Sequence, residues 1–210
     1  MATTARGDPR AIAARTSPRT GVAARRVTSF TVAAEMQATD RQHDVLAGDP
    51  VWVAGRLRPG RAARTVALQG HSAAGWRTLA HARTGAHGGF AVRYAPAATG
   101  IGRPLRVLFK GDRDNARSVD AAGAMTVYQE SVASWYQDGG STACGFHAGL
   151  GVANKSLPCG TKVRFRHAGH TVTATVDDRG PYVGGRTWDL NQNTAAALGF
   201  DGVGTVWSTS

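Results

Sequence analysis

Between Thr28 and Tyr128 the sequence repeats one pattern: a short apolar run with alternating inward and outward residues, then a stop at turn-forming residues. Thr28–Ala34 alternates Phe30 and Val32 with Ser29 and Thr31. Val51–Leu57 follows the turn Ala47-Gly48-Asp49-Pro50, and Arg64–Gln69 and Trp76–His81 come next. Phe90–Tyr94 follows Gly88-Gly89, Leu105–Phe109 follows Gly102-Arg103-Pro104, and Met125–Tyr128 closes the series. A period of two belongs to strands with one buried face, and breaks of this kind are turns. Helical periodicity is scarce. The expectation is an all-β chain whose residues 28–128 form a β-sandwich of about seven short strands, with Val, Leu, Trp and Phe inside and Arg outside.

The order G-x-L-x-P, V-x-L-Q, W, G-x-F, Y, L-R-V-x-F in this half resembles immunoglobulin-like modules attached to bacterial surface proteins. That resemblance implies a fold and no activity. Residues 129–132 are polar and read as a joint. From Ala133 the composition changes to less Arg, more Asn, Asp, Gly and Trp, and both cysteines, so a second domain is expected over 133–209.

Charge is uneven. The chain carries a formal +11, and residues 51–130 hold 12 Lys/Arg against 4 Asp/Glu. Arg-rich surfaces suit anionic polymers, including phosphate-bearing wall polymers, and a solvated Arg-biased surface is the plainer reading. Aromatics do not interleave with the basic residues, so no nucleic-acid partner is expected. No run of about 18 apolar residues exists, so no transmembrane segment is expected. A monomer is the default.

Cys144 and Cys159 are the two cysteines, and pairing them closes a loop of about 16 residues, worth roughly 3 kcal/mol of chain entropy. One disulfide suits this separation and favours an oxidising, extracytoplasmic location; two reduced core thiols are the alternative. His147, His167 and His170 do not supply metal-ligand spacing, so no metal or cofactor is expected. Residues 1–27 carry Arg among Thr, Ala and Pro with no apolar signal core, and read as a disordered basic segment.

The densest chemistry lies in Asp177-Asp178-Arg179-Gly180-Pro181-Tyr182, with Arg186-Thr187-Trp188-Asp189-Leu190 close behind. Val172–Val176 leads into it as a strand, so Asp177 and Asp178 are expected to face opposite ways. A carboxylate at a strand end beside an Arg can build an acid/base site, and Asp before Gly-Pro can equally serve a turn. Both readings stay open on the residues alone.

Ala133-Ser134-Trp135-Tyr136, Thr142-Ala143-Cys144-Gly145, Leu157-Pro158-Cys159-Gly160-Thr161, Asp178-Arg179-Gly180-Pro181-Tyr182, Asp189-Leu190, Ala195–Gly199 and Gly204-Thr205-Val206 occur in this order. The series resembles the rare-lipoprotein-A-like double-psi β-barrel of septal-ring lytic transglycosylases, in a branch with a cysteine pair. The resemblance implies a closed six-stranded barrel with one short helix over 191–198, capped by Asn191 or Asn193. It also implies a substrate groove on the outside, since so small a barrel is filled by its own side chains.

That family cleaves the N-acetylmuramic acid–N-acetylglucosamine bond without water, leaving a 1,6-anhydro end. Asp178 matches its catalytic Asp. Trp135, Tyr136 and Tyr182 are candidates to stack on sugar rings, with ordinary core packing as the other reading. Arg179 is a candidate substrate contact, and Arg186 with Asp189 is expected to form an ion pair shaping the cleft, with substrate contact as the second reading. The family's usual A-H-K-T-L-P stands here as Ala153-Asn154-Lys155-Ser156-Leu157-Pro158. Asn154 can hydrogen-bond a sugar but cannot shuttle a proton, and His147 could reach the same space. A lytic transglycosylase acting on peptidoglycan strands is expected, with a non-catalytic, expansin-like binder of the same strands as the alternative.

Overall fold

The computed structural model describes residues 32–38, 42–137 and 139–210. The expected disordered segment 1–27 and the start of the expected strand at 28–34 lie outside these residues. In chain order the strands are β1 (Glu35–Ala38), β2 (Gln42–Leu46), β3 (Val51–Arg58), β4 (Thr65–Ser72), β5 (Gly75–Arg83), β6 (Gly89–Tyr94) and β7 (Gly100–Phe109). Then follow β8 (Ser118–Tyr136), β9 (Gly151–Ala153), β10 (Lys162–His167), β11 (His170–Asp178), β12 (Trp188–Asn191), helix α1 (Gln192–Leu198) and β13 (Gly204–Ser208).

The N-terminal half is a two-sheet sandwich. A three-stranded antiparallel sheet, β1-β3-β6, faces a sheet ordered β2-β8-β7-β4-β5 in which β2 runs parallel to β8. Alternation along β3 and β6 builds one side of the core. In β3, Val51, Val53 and Leu57 are buried while Trp52 between them is exposed. These residues meet Phe90 and Val92 of β6 and Leu68, Val107, Met125 and Val127 of the other sheet.

Two expectations need correction here. Glu35–Leu46 holds two strands where none was expected, because Glu35, Gln37 and Asp44 mask an alternation that buries Met36, Ala38 and His43. The polar joint expected at 129–132 is instead the middle of β8, paired to β13 through Gln129–Ser208, Glu130–Trp207, Ser131–Val206 and Val132–Thr205. Gln129 and Glu130 are polar because they face water, and their backbone stays in the ladder all the same.

The C-terminal half closes on itself. β8 pairs with β13, β13 with β10, β10 with β11, β11 with β9, β9 with β12, and β12 returns to β8. The β11–β9 and β12–β8 pairs are parallel and the rest antiparallel. The six strands therefore leave no free edge within the ring. Its interior is filled by Val152, Val163, Phe165, Ala174, Val176, Trp188, Leu190 and Val206, with the Phe165 and Trp188 rings edge-to-face at 5.1 Å. The helix α1 plugs one side with Thr194, Ala195 and Leu198. Asn191 caps it by accepting from the Thr194 N–H at 2.9 Å, and Gly199 ends it at φ 62°.

Candidate active site on the outer face of the barrel

Strand register places the acidic residues. Asp178 on β11 lies opposite Ala153 on β9, Ala153 opposite Asp189 on β12, and Asp189 opposite Ser134 on β8. Residues in register share a face. Their neighbours Val176, Val152 and Leu190 fill the interior, so this row stands on the outside of the barrel. Two strand spacings separate Asp178 from Asp189, about 10 Å between their Cα atoms, and the small side chain of Ala153 lies between them. Both carboxylates are half-buried.

The two consecutive aspartates have parted, as the alternation implied. The β11–β9 register shifts between Val176 and Asp178, so Asp177 is the extra residue of a bulge. Asp177 is fully buried and its Oδ2 accepts from the Ala148 N–H at 2.9 Å. Gly151 makes room for it: a Cβ there would stand 2.3 Å from Asp177 Oδ2. Asp177 thus holds the loop before β9, and Asp178 is left on the surface.

Asp178 is oriented by backbone donors. The N–H groups of Ala143 and Arg179 both donate to its Oδ1 at 2.8 Å. Among the described residues no hydrogen bond reaches Oδ2, so one oxygen is anchored and the other is open. Ala143 comes from the loop that the disulfide Cys144–Cys159 ties to the Leu157–Thr161 turn, and the Cys144 N–H also donates to the Asp177 carbonyl at 3.3 Å.

Arg179 turns away from the carboxylates. Its guanidinium donates to the Asn154 carbonyl at 3.2 Å and to Cys159 Sγ at 3.1 Å, and it makes no ion pair with Asp178 among the described residues. Asn154 is buried and fully engaged. Its Oδ1 accepts from the N–H groups of Ser156 and Leu157, and its Nδ2 donates to the Thr187 carbonyl at 3.2 Å. The expected sugar contact by Asn154 is therefore replaced by a turn-capping role. The expected Arg186–Asp189 ion pair is absent among the described residues. Asp189 Oδ1 instead accepts from Ser134 Oγ at 2.8 Å, its neighbour in the row.

The aromatic candidates divide by face. Tyr136 shares the side of Ser134 by alternation, and Tyr182, in the loop after Asp178, is 84% exposed. Trp135 points to the other side, where its Nε1–H donates to Asp201 Oδ1 at 3.0 Å. His147 is exposed, in the loop whose Ala143 and Ala148 amides hold Asp178 and Asp177. Phe146 beside it is 40% exposed. The sequence reading missed Ser134, Phe146 and Ala143. Ala143 acts through a backbone N–H, which no side-chain pattern reports, whereas the alternation of β8 does place Ser134 beside Tyr136. Among the described residues no three His, Cys, Asp or Glu side chains gather as a metal site.

Residues 128–207 match the family described as lytic transglycolase, a double-psi β-barrel. The barrel is similar to rare-lipoprotein-A-like double-psi domains. A probable endolytic peptidoglycan transglycosylase RlpA of Synechocystis sp. is 38% identical over 97 residues, covering 41% of this chain and 30% of that protein. The protein of the same name from Nostoc sp. is 41% identical over 56 residues, 26% of this chain and 15% of its own length. The chain thus spans less than a third of either relative. A chain from a solved structure on T cell specificity and activation by the bacterial superantigen toxic shock syndrome toxin-1 overlaps 45% of this chain and 98% of its own length, at 10% identity and a TM-score of 0.36, too loose a likeness to build on. The double-psi domain takes in β8 from Tyr128 onward, so the match begins inside the strand it shares with the sandwich.

Proposed function

We propose that the double-psi barrel cleaves peptidoglycan glycan strands as a lytic transglycosylase, with Asp178 as its acid and then its base. The observation that carries this is the posture of Asp178: Oδ1 held by two backbone donors, Oδ2 open, and a second carboxylate two strands away on the same outer face. Protonated Asp178 gives its proton to the bridging oxygen as the C1–O bond of the muramic sugar breaks. The positive charge that develops at C1 is balanced by the Asp189 carboxylate, which Ser134 orients. The C6 hydroxyl of the same sugar then closes on C1, and its proton returns to Asp178. No water enters the bond, so one carboxyl group serves both steps. Tyr182 and Tyr136 offer ring faces for the strand on either side.

One observation favours a second reading, a barrel that holds strands without cutting them. Asn154 stands where the family's His is expected, and its polar atoms are taken up inside the fold. The full chain incubated with sacculi stripped of stem peptides separates the two. Release of 1,6-anhydro-muropeptides, read by mass spectrometry, supports cleavage; retention on sacculi without such products assigns the binder.

For the sandwich, the sheet orders β1-β3-β6 and β2-β8-β7-β4-β5, with β2 parallel to β8, support an immunoglobulin-like reading. We place the protein outside the cytoplasm on the strength of its disulfide and its proposed substrate. No helix among the described residues is long and apolar enough to cross a membrane.

A further inference from the structure

One end of the sandwich carries a basic trough that the barrel chemistry does not use. A cavity of about 350 Å³ adjoins a second of about 330 Å³, and His71, Ser72 and Arg103 line both. Gly70 on β4 opens the first. A Cβ added there would stand 3.0 Å from Arg103 Cδ and 3.0 Å from Leu79 Cδ1. Arg77 is the register partner of Gly70 on β5, and Arg103 reaches over Gly70 from β7. Two guanidinium groups therefore flank a residue with no side chain.

Neither Arg77 nor Arg103 makes an ion pair or side-chain hydrogen bond among the described residues, and no Asp or Glu is among the residues lining either cavity. Like charges gathered in a recess raise the local potential and draw an anion in, and Arg presents paired donors to phosphate or carboxylate. The other wall offers the Ser72 hydroxyl and the apolar faces of Leu79 and Tyr94. A lone small ion would occupy one cavity only. An extended chain with alternating anions and hydroxyls would run through both.

We propose that this trough binds an anionic polyol or sugar chain bearing repeated phosphodiester or carboxylate groups, with Arg77 and Arg103 as its anion clamps. The site stands whether or not the barrel cleaves glycan. Arg77 and Arg103 are exposed, so their replacement leaves the core intact.

The test titrates the full chain by calorimetry with poly(glycerol phosphate) oligomers and with oligogalacturonate. One or both should bind, which identifies phosphate or carboxylate as the preferred anion. The R77Q/R103Q double variant should bind at least about tenfold more weakly. The charge-matched R56Q/R93Q variant, altered on the exposed side of the opposite sheet, should change affinity by less than about twofold. The proposal is overturned if neither oligomer binds, or if both double variants lose affinity equally. Tighter binding of phosphatidylglycerol vesicles or single-stranded DNA than of both oligomers would overturn it too.

Discussion

Asp177 and Asp178 are adjacent in sequence and do unrelated work, and the bulge between them and β9 is the cause. Gly151 is the residue that permits it. Gly151→Ala would drive a methyl group into the Asp177 carboxylate, which is buried and cannot swing aside. A loss of about 1–3 kcal/mol is expected by urea denaturation, with loosening of the Ala148 loop. Asp178→Asn is the contrasting change. The amide oxygen can still accept from Ala143 and Arg179, so the melting temperature should stay nearly unchanged while anhydro-muropeptide release is abolished. In the sandwich, Asp112 makes a pH-sensitive contribution. The Asn115 side chain first, then the Asp114 and Asn115 amides and the Arg64 guanidinium, hold its carboxyl below the ordinary range against a smaller opposing effect of burial. A depressed value means stability that is present above the unfolded value of about 3.9 and is lost as pH falls through the folded one. Asp112→Ala should therefore weaken the protein at neutral pH and cost progressively less as pH falls below the unfolded value, compared by denaturation across that range.

At the scale of elements, the loop from Thr142 to Gly149 is the part of the site with the least secondary structure and the most constraints. The disulfide ties it to the turn at Leu157–Thr161, the Ala148 N–H rests on Asp177, and Asn191 and Asn193 hold the Ala148 and Gly149 carbonyls. Each of these contacts helps aim the Ala143 N–H at Asp178. Replacing Cys144 and Cys159 with Ser should lower stability by about 3 kcal/mol in guanidinium denaturation. Cleavage should fall further than the folded fraction alone accounts for, since the Ala143 donor loses its anchor. A variant with full activity and reduced stability would show that the disulfide holds the fold and not the carboxylate.

For the whole molecule, β8 decides how the two halves behave. It contributes Met125 and Val127 to the sandwich core and Ala133 to the barrel core, with no break in its ladder between. Tyr128 against Trp207 at 5.9 Å and the Arg166–Asp44 ion pair at 2.9 Å add to the junction. That pair is half-exposed and contributes at most about 1 kcal/mol, so the strand carries most of the coupling. Scanning calorimetry should show one cooperative unfolding transition, and two separated transitions would contradict it. Much of this architecture was legible in the residues. The strands at 51–58 and 89–94 announce themselves because each buries one face, and local alternation records burial. The Asn191 cap and the Asp-Arg-Gly-Pro turn are likewise local matters. What the chain could not disclose is everything set by pairing between distant strands. The row Asp178–Ala153–Asp189–Ser134, the continuity of β8 through a polar stretch, the inward capture of Asn154 and the two arginines beside Gly70 all depend on which backbone lies next to which. A sequence fixes the face of each side chain through its own period, whereas the neighbour across the ladder is chosen only when the sheet closes.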